Sequence, residues 1–152
     1  MRKMAILLGL LMITSCYAWH ILNMDQYIKE IQAQITEDSL KLQEKLDARL
    51  PVSSKASVGK VKQRTVPLIN FASPLFIIGD DAESRQWLQR NAKKLETIHA
   101  LGFVANVDDS EHLQSLQSLT KAPLFPANVD DLMDIFQEDH YPLVVHEGEL
   151  WQ

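Results

Sequence analysis

The apolar residues between positions 20 and 50 follow a helical period. They recur at spacings of three, four and seven, separated by charged and amide side chains, at Ile28, Ile31, Ile35, Leu42 and Leu46. This spacing places one narrow apolar stripe on a helix that begins near Met24 and ends near Leu50. Asp38 and Lys45 interrupt the stripe, so a strong coiled coil is not expected. We predict a long amphipathic helix over residues 20–50.

Beyond residue 67 the pattern changes to short apolar runs separated by helical segments. The runs are PLFIIG, GFVANV, PLFP and YPLVVHEGE, which begin at residues 74, 102, 123 and 141. Nearly continuous apolar runs are typical of strands covered on both faces. Their alternation with helices predicts an α/β domain over residues 68–152, with a parallel crossover at its start. Residues 51–67 contain few large side chains, which predicts a linker or an extended arm.

Pairs of aspartates stand at the predicted helix starts of this domain. The pairs are Asp80/Asp81, Asp108/Asp109 and Asp130/Asp131. A carboxylate at such a position accepts hydrogen bonds from the free N–H groups of the first helical turn. We therefore expect these pairs to cap helices rather than to act as catalytic acids and bases.

The first residues of the chain have the features of an export signal. Arg2 and Lys3 are followed by about ten apolar residues, a combination that is typical of a bacterial secretory signal. Such a helix is too short to span the ~30 Å hydrocarbon core of a bilayer. Residues 1–18 are therefore predicted to be a signal peptide, and the protein is predicted to work in the periplasm.

Cys16 is the single cysteine of the chain, and two interpretations of it stay open. The sequence Ile13-Thr14-Ser15-Cys16 resembles a lipobox, which predicts cleavage before residue 16, lipid attachment at Cys16 and an anchor in the outer membrane. Ordinary cleavage after Ala18 would instead remove the thiol. Either outcome leaves the mature protein without a free thiol, which suits an oxidising compartment.

The composition and the motifs of the chain exclude several function classes. The net charge of −5 argues against direct binding to nucleic acid. A glycine-rich phosphate loop, a nucleophile elbow, a C-x-x-C pair and an H-E-x-x-H motif are all missing from the sequence. We predict no catalytic residue, no metal site and no cofactor.

The segment DHYPLVV is the most distinctive local feature of the chain. Pro142 stands at the start of a predicted strand, and aromatic-proline bonds such as Tyr141-Pro142 are often cis. Thioredoxin-like domains have a cis proline at this point of the fold, so we expect a small thioredoxin-like sheet with flanking helices that lacks the redox cysteines. The candidates for interaction with a partner are Trp87, His140, Tyr141, Pro142 and Trp151.

Residues 58–152 resemble a family of exported proteins encoded in integrating conjugative elements. The resemblance rests on GDD at residues 79–81, SRQWL at residues 84–88, HYPLV at residues 140–144 and LWQ at residues 150–152. It implies an envelope component of a conjugative DNA-transfer apparatus, a specialised type IV secretion system, with kinship to thioredoxin-like pilin-assembly proteins. The partners so implied are other envelope proteins of that apparatus, together with the membrane if Cys16 carries a lipid.

Two classes of function follow from these observations. The first is a structural or assembly component that acts by protein–protein interaction, with a pilin-binding chaperone using the groove beside Pro142 as a variant. The second is a periplasmic hydrolase that uses His140 and the neighbouring Asp139.

Overall fold

The computed structural model describes residues 29–30, 32–66 and 73–152. The chain divides into two compact units, Met1–Glu44 and Lys45–Gln152. The predicted signal peptide, Cys16 and the start of the predicted amphipathic helix lie outside the described residues. No helix in the described part of the chain is both long and apolar enough to cross a membrane.

The first unit is helical where it is described. Helical backbone covers residues 29–30 and residues 32–47; the second range is helix α1, and its last three residues belong to the second unit. Ile35 and Leu42 of the predicted stripe are more than half exposed, as is Leu40, so these described positions of the unit cover no core. The full predicted length of the helix, over residues 20–50, stays a prediction because its first part is outside the described residues.

The second unit is a mixed α/β domain, as predicted. Its helices are α2 (Ala82–Thr97), α3 (Ser110–Gln117) and α4 (Asp130–Phe136). Its strands are β1 (Ser57–Val58), β2 (Arg64–Thr65), β3 (Leu75–Ile78), β4 (Leu101–Val104), β5 (Leu124–Pro126), β6 (His140–Tyr141), β7 (Leu143–His146) and β8 (Glu149–Trp151).

Six of these strands form one sheet in the order β2-β8-β7-β3-β4-β5, and β1 pairs separately with β6. β3, β4 and β5 are parallel, and α2 forms the crossover between the first two. β7 is antiparallel to both β3 and β8. The predicted final strand is thus a hairpin, because Glu147 and Gly148 both have positive φ angles and reverse the chain between β7 and β8.

Apolar side chains cover both faces of the six-stranded sheet. Phe76 and Ile78 of β3 belong to one core cluster, whereas Leu75 and Ile77 belong to the other, as the alternation of side chains along a strand requires. α2 and α3 pack into the first cluster, and α4 packs into the second. The sheet is therefore the middle layer of three.

Residues 51–66 form an arm that is bound to this domain. Val52 forms a β-bridge with Val107, β1 pairs with β6, and β2 pairs with β8. Ala56 and Val66 of the arm are buried in the second core cluster. The compact unit therefore begins at Lys45 rather than at Leu68, and these residues are an extended arm rather than a free linker.

The capping prediction is correct for two of the three helices. The carboxylate of Asp81 accepts from the Ser84 N–H at 2.8 Å, and that of Asp109 accepts from the His112 N–H at 2.9 Å. α4 begins differently: its N-cap is Val129, which provides no side-chain hydrogen bond. The Asp130 carboxylate instead accepts from the backbone N–H of Lys55 at 2.8 Å, so it fixes the arm.

Arg64 is the main polar contact between the arm and α4. Its guanidinium donates to the Glu138 carboxylate at 2.9 Å, and to the carbonyl oxygens of Phe136 and Gln137 at 2.8 and 2.9 Å. Those carbonyls end the last turn of α4 and have no further helical donor to accept from. The Arg64 side chain thus binds β2 to the end of α4 and donates hydrogen bonds to the carbonyl groups there.

The substitution Arg64→Ala is expected to lower the free energy of unfolding by about 1–3 kcal/mol, since hydrogen bonds to a charged group are lost and carbonyls are left without a donor. Arg64→Lys should recover only part of this, because an ammonium group lacks the planar fork of the guanidinium. Urea unfolding of both variants measures the effect. The exposed Lys62→Ala is the control, and an Arg64→Ala midpoint equal to that control would contradict the role of Arg64.

Candidate binding site beside Pro142

A cavity of about 380 Å³ lies between α2 and the carboxyl-terminal strands. Its lining residues are Glu83, Trp87, Arg90, Asn91, Pro142 and Gln152. The first four are spaced i, i+4, i+7 and i+8 along α2, which puts them on one face of that helix. The opposite wall comes from the residue before β7 and the residue after β8.

The start of α2 is fixed by a set of short polar contacts. Asp81 accepts from the N–H and from the hydroxyl of Ser84, at 2.8 and 2.7 Å, and the Ser84 hydroxyl in turn accepts from the Gly79 N–H at 3.1 Å. Ser84 is completely buried. These bonds tie the first helical turn to the end of β3, and so determine where Glu83 and Trp87 lie.

Trp87 is a core residue that also lines the cavity. Its side chain is 4% exposed, and its ring centroid lies 6.4 Å from that of Phe76. Within the described residues, its indole Nε1 is the single buried side-chain nitrogen or oxygen without a hydrogen-bond partner. An unsatisfied buried donor costs about 1–3 kcal/mol, so Trp87 carries a hydrogen-bonding capacity that the fold itself does not use.

Tyr141 and Pro142 face different spaces although they are adjacent. Pro142, which follows a cis peptide bond, lines the cavity beside Trp87. Tyr141 lines a second cleft of about 290 Å³, where its hydroxyl accepts from the Asn106 side-chain amide at 3.1 Å. Gly79 leaves room for this ring, because a Cβ there would come within 2.4 Å of the Tyr141 hydroxyl oxygen.

Two carboxylates that line the second cleft, those of Asp80 and Asp81, already have partners within the domain. Asp80 is ion-paired with Arg85, and its carboxylate also lies 2.8 Å from the Nδ1 of His112. Asp81 is occupied by its caps to Ser84. Asp80 therefore links α2 to α3, and its neighbour Asp81 is the cap, one of the two positions that the sequence allowed. In the described ranges no group of three or more His, Cys, Asp or Glu side chains is arranged to hold a metal ion.

Two of the five predicted interaction residues, Trp87 and Pro142, meet at the cavity. Tyr141 is buried behind them and belongs to the second cleft. His140 lies against the arm, with its Nδ1 3.4 Å from the Ser57 hydroxyl. The ring of Trp151 is covered by Lys94, whose Nζ lies 3.5 Å from its centroid. Neither His140 nor Trp151 lines the cavity.

Both hydrolase candidates contact the arm, Asp139 through its backbone carbonyl only, since its side chain is exposed. The Asp139 carbonyl oxygen accepts from the Ser57 N–H at 3.0 Å, and His140 pairs with Ser57 in the β1–β6 ladder. Gly59 must remain without a side chain there, since a Cβ would lie 2.7 Å from the imidazole ring of His140.

Four residues of the cavity were not predicted from the sequence: Glu83, Arg90, Asn91 and Gln152. The helical spacing of the first three with Trp87 is a signal that was present. It is a weak one, because most charged residues at such spacing on a helix face solvent. The position of Gln152 depends on its contacts with the arm, where its amide donates to the Gly59 carbonyl at 2.8 Å and accepts from the Val61 N–H at 3.3 Å.

The chain belongs to a family described as "Protein of unknown function (DUF2859)", whose sequence model matches residues 15–150. The matched range includes the arm and the α/β domain, so all of the cavity apart from Gln152 lies inside it. No curated protein and no solved structure matches the chain.

The pKa of the Tyr141 hydroxyl is raised, chiefly because the group is buried. Burial raises the pKa of its hydroxyl above the ordinary value of 10.0, the hydrogen bond from Asn106 lowers it, and the negative charge of Asp81 raises it. The net direction is upward. The folded protein therefore keeps a proton on Tyr141 at alkaline pH values where the unfolded chain has lost it.

The substitution Tyr141→Phe is expected to reduce the loss of stability at high pH. Because the folded-state pKa is raised, the stabilisation from Tyr141 is complete below the unfolded value of 10.0 and is lost as pH rises through the folded value. Urea unfolding at a series of alkaline pH values should show a steeper decline for the unmodified chain than for Tyr141→Phe. Parallel declines would show that Tyr141 does not titrate as inferred.

Proposed function

We propose that this protein is an exported component of a conjugative DNA-transfer apparatus that acts by binding another envelope protein. The observation that carries the binding role is the cavity beside Pro142, which Trp87 lines between two exposed charged residues of the same helix face, Glu83 and Arg90. A cavity with a few convergent polar groups is the usual form of a binding site. A pilin-binding chaperone is a specific form of the same role.

The arrangement of strands supports a thioredoxin-like origin for the domain. The β3-α2-β4 crossover lies beside the antiparallel hairpin of β7 and β8, in the order β8-β7-β3-β4. A parallel β-α-β unit next to such a hairpin is the arrangement of a thioredoxin-like core. Trp87 in the second turn of α2 and Pro142 before β7 both line the cavity next to this unit. In this chain we assign that space to binding.

The placement in the envelope is a proposal from the sequence. Residues 1–18 have the pattern of a secretory signal, and Cys16 stands where a lipoprotein would carry its lipid. A lipid there would hold the domain at the periplasmic side of the outer membrane. The match to exported proteins of conjugative elements, through the motifs at residues 84–88 and 140–144, supports the assignment to the transfer apparatus.

Site-specific crosslinking in conjugating donor cells tests the binding role. A photoreactive residue introduced at exposed position 90, at the rim of the cavity, should form an adduct with an envelope protein of the apparatus. Position 93 lies on the same helix, is exposed and does not line the cavity, so it serves as the matched control. Adducts of equal yield at both positions, or at neither, would count against the cavity as the contact surface.

The substitution Arg90→Glu is expected to lower the frequency of DNA transfer by about tenfold, the effect of losing roughly 1.4 kcal/mol of binding free energy. Lys93→Glu makes the same change of charge on α2 outside the cavity and should leave transfer near its normal level. Mating assays with a complemented deletion measure both. Normal transfer in the deletion strain itself would overturn the assignment to the apparatus.

A further inference from the structure

Residues 57–63 of the arm, here called the strap, support one wall of the cavity beside Pro142. The Gln152 side chain, which belongs to that wall, donates to the Gly59 carbonyl oxygen at 2.8 Å and accepts from the Val61 N–H at 3.3 Å. The strap thus binds both the nitrogen and the oxygen of the Gln152 amide. It therefore determines where this side chain lies.

The strap also contacts the residue that precedes Pro142. The Gly59 N–H donates to the Tyr141 carbonyl oxygen at 2.9 Å, next to the short parallel pairing of β1 with β6. The fit is close, since a Cβ at Gly59 would lie 2.7 Å from the imidazole ring of His140. Pro142 and Gln152, which form the wall opposite α2, are therefore both supported by the strap.

The strap is held less firmly than the parts of the arm on either side of it. Within residues 57–63 every side chain is exposed or only partly buried, and Val61 alone packs against a core cluster. Before the strap, Ala56 is 5% exposed, and Asn106 binds Ser54 and Ala56 at 2.7 and 3.0 Å. After it, Val66 is 4% exposed. A segment with few buried apolar contacts opens locally while the rest of the domain stays folded.

We propose that the strap is a movable part of this wall, and that the cavity binds its partner while the strap is docked. When the strap lifts, the Gln152 amide and the Tyr141 carbonyl lose their hydrogen bonds to it, so the wall opposite α2 is no longer held. A partner in the complete cavity therefore keeps the strap docked, and a lifted strap releases the partner by the same free energy. This inference concerns the regulation of the proposed binding site and rests on that proposed function.

Hydrogen exchange of the full-length chain, followed by nuclear magnetic resonance, tests whether the strap opens on its own. The backbone N–H groups of Ser54 and Val66, on either side of the strap, are bonded to the Asn106 side chain and to the Gly148 carbonyl. The protection factor of the Gly59 N–H should be at least about tenfold lower than theirs, because its opening exposes little apolar surface. Equal protection at all three would overturn the inference, since the strap would then open only with the domain.

The substitution Gln152→Ala tests the coupling between the strap and the wall. The Gln152 side chain is exposed, so folding is not at risk, and the bond from Gly59 to Tyr141 is not itself altered. The protection factor of the Gly59 N–H should nevertheless fall a further fivefold to tenfold, by about the effect of one hydrogen bond. The control Lys60→Ala changes an exposed side chain of the strap and should leave that factor unchanged. An unchanged factor in Gln152→Ala would contradict the coupling.

The effect of the strap on the cavity is tested by crosslinking at position 90 in donor cells. Gly59 does not line the cavity, yet Gly59→Ala should displace the strap from His140 and lower the adduct yield about fivefold or more. Ser57→Pro is a second variant that lifts the strap, because it removes the N–H that donates to the Asp139 carbonyl at 3.0 Å. Circular dichroism verifies that each variant is folded.

The outcomes separate this inference from the proposed function. A full adduct yield in folded variants whose strap exchanges freely would overturn the regulation and leave the binding function standing. If the unmodified chain forms no adduct at position 90, the proposed function fails, and the exchange experiments alone decide whether the strap moves together with the wall.

Discussion

The side-chain amide of Asn106 is the contact on which the rest of this domain depends. Its nitrogen donates to the Ala56 carbonyl at 3.0 Å and to the Tyr141 hydroxyl at 3.1 Å, and its oxygen accepts from the Ser54 N–H at 2.7 Å. One amide group thus joins the end of β4 to the arm and to the residue before Pro142. Replacing it would leave several partly buried polar groups without partners, and such groups are costly in a low-dielectric interior.

Tyr141 and Pro142 are adjacent in the sequence, but they line different spaces on either side of the Asn106 contacts. Tyr141 is held by Asn106 on the side of the arm, and Pro142 stands at the wall of the cavity. The wall of the cavity is consequently built from parts that are held by hydrogen bonds within the domain. The caps of Asp81 fix α2, and the junction at Asn106 fixes the start of β7. A site on such supports needs little reordering when it binds, which favours affinity.

The elements of the domain could be predicted from the sequence, but the contacts between distant segments could not. β3 and α2 follow from local patterns, since a continuous apolar run and an aspartate cap need no information from elsewhere in the chain. The arm has no such pattern, because β1 and β2 are two residues long and pair with strands that lie more than eighty positions later. For the site, Trp87 was selected because aromatic residues anchor interfaces, and Pro142 because it is a proline at the start of a strand. The same reasoning selected His140 and Trp151, which contact the arm and Lys94.

No sequence pattern could indicate that the Trp87 N–H lacks a hydrogen-bond acceptor, because only the folded structure shows which buried donors have partners. Elsewhere the described structure satisfies its buried side-chain polar atoms, even at the fully buried Ser84. A phenylalanine would fill much of the same space without an unused donor, so packing alone gives no reason for an indole. The Nε1 atom is itself buried, so neither a side chain or backbone group of the described residues nor solvent accepts its hydrogen bond. Trp87 thus belongs to the core and to the wall of the cavity at once, and the charged groups of that wall come from Glu83 and Arg90.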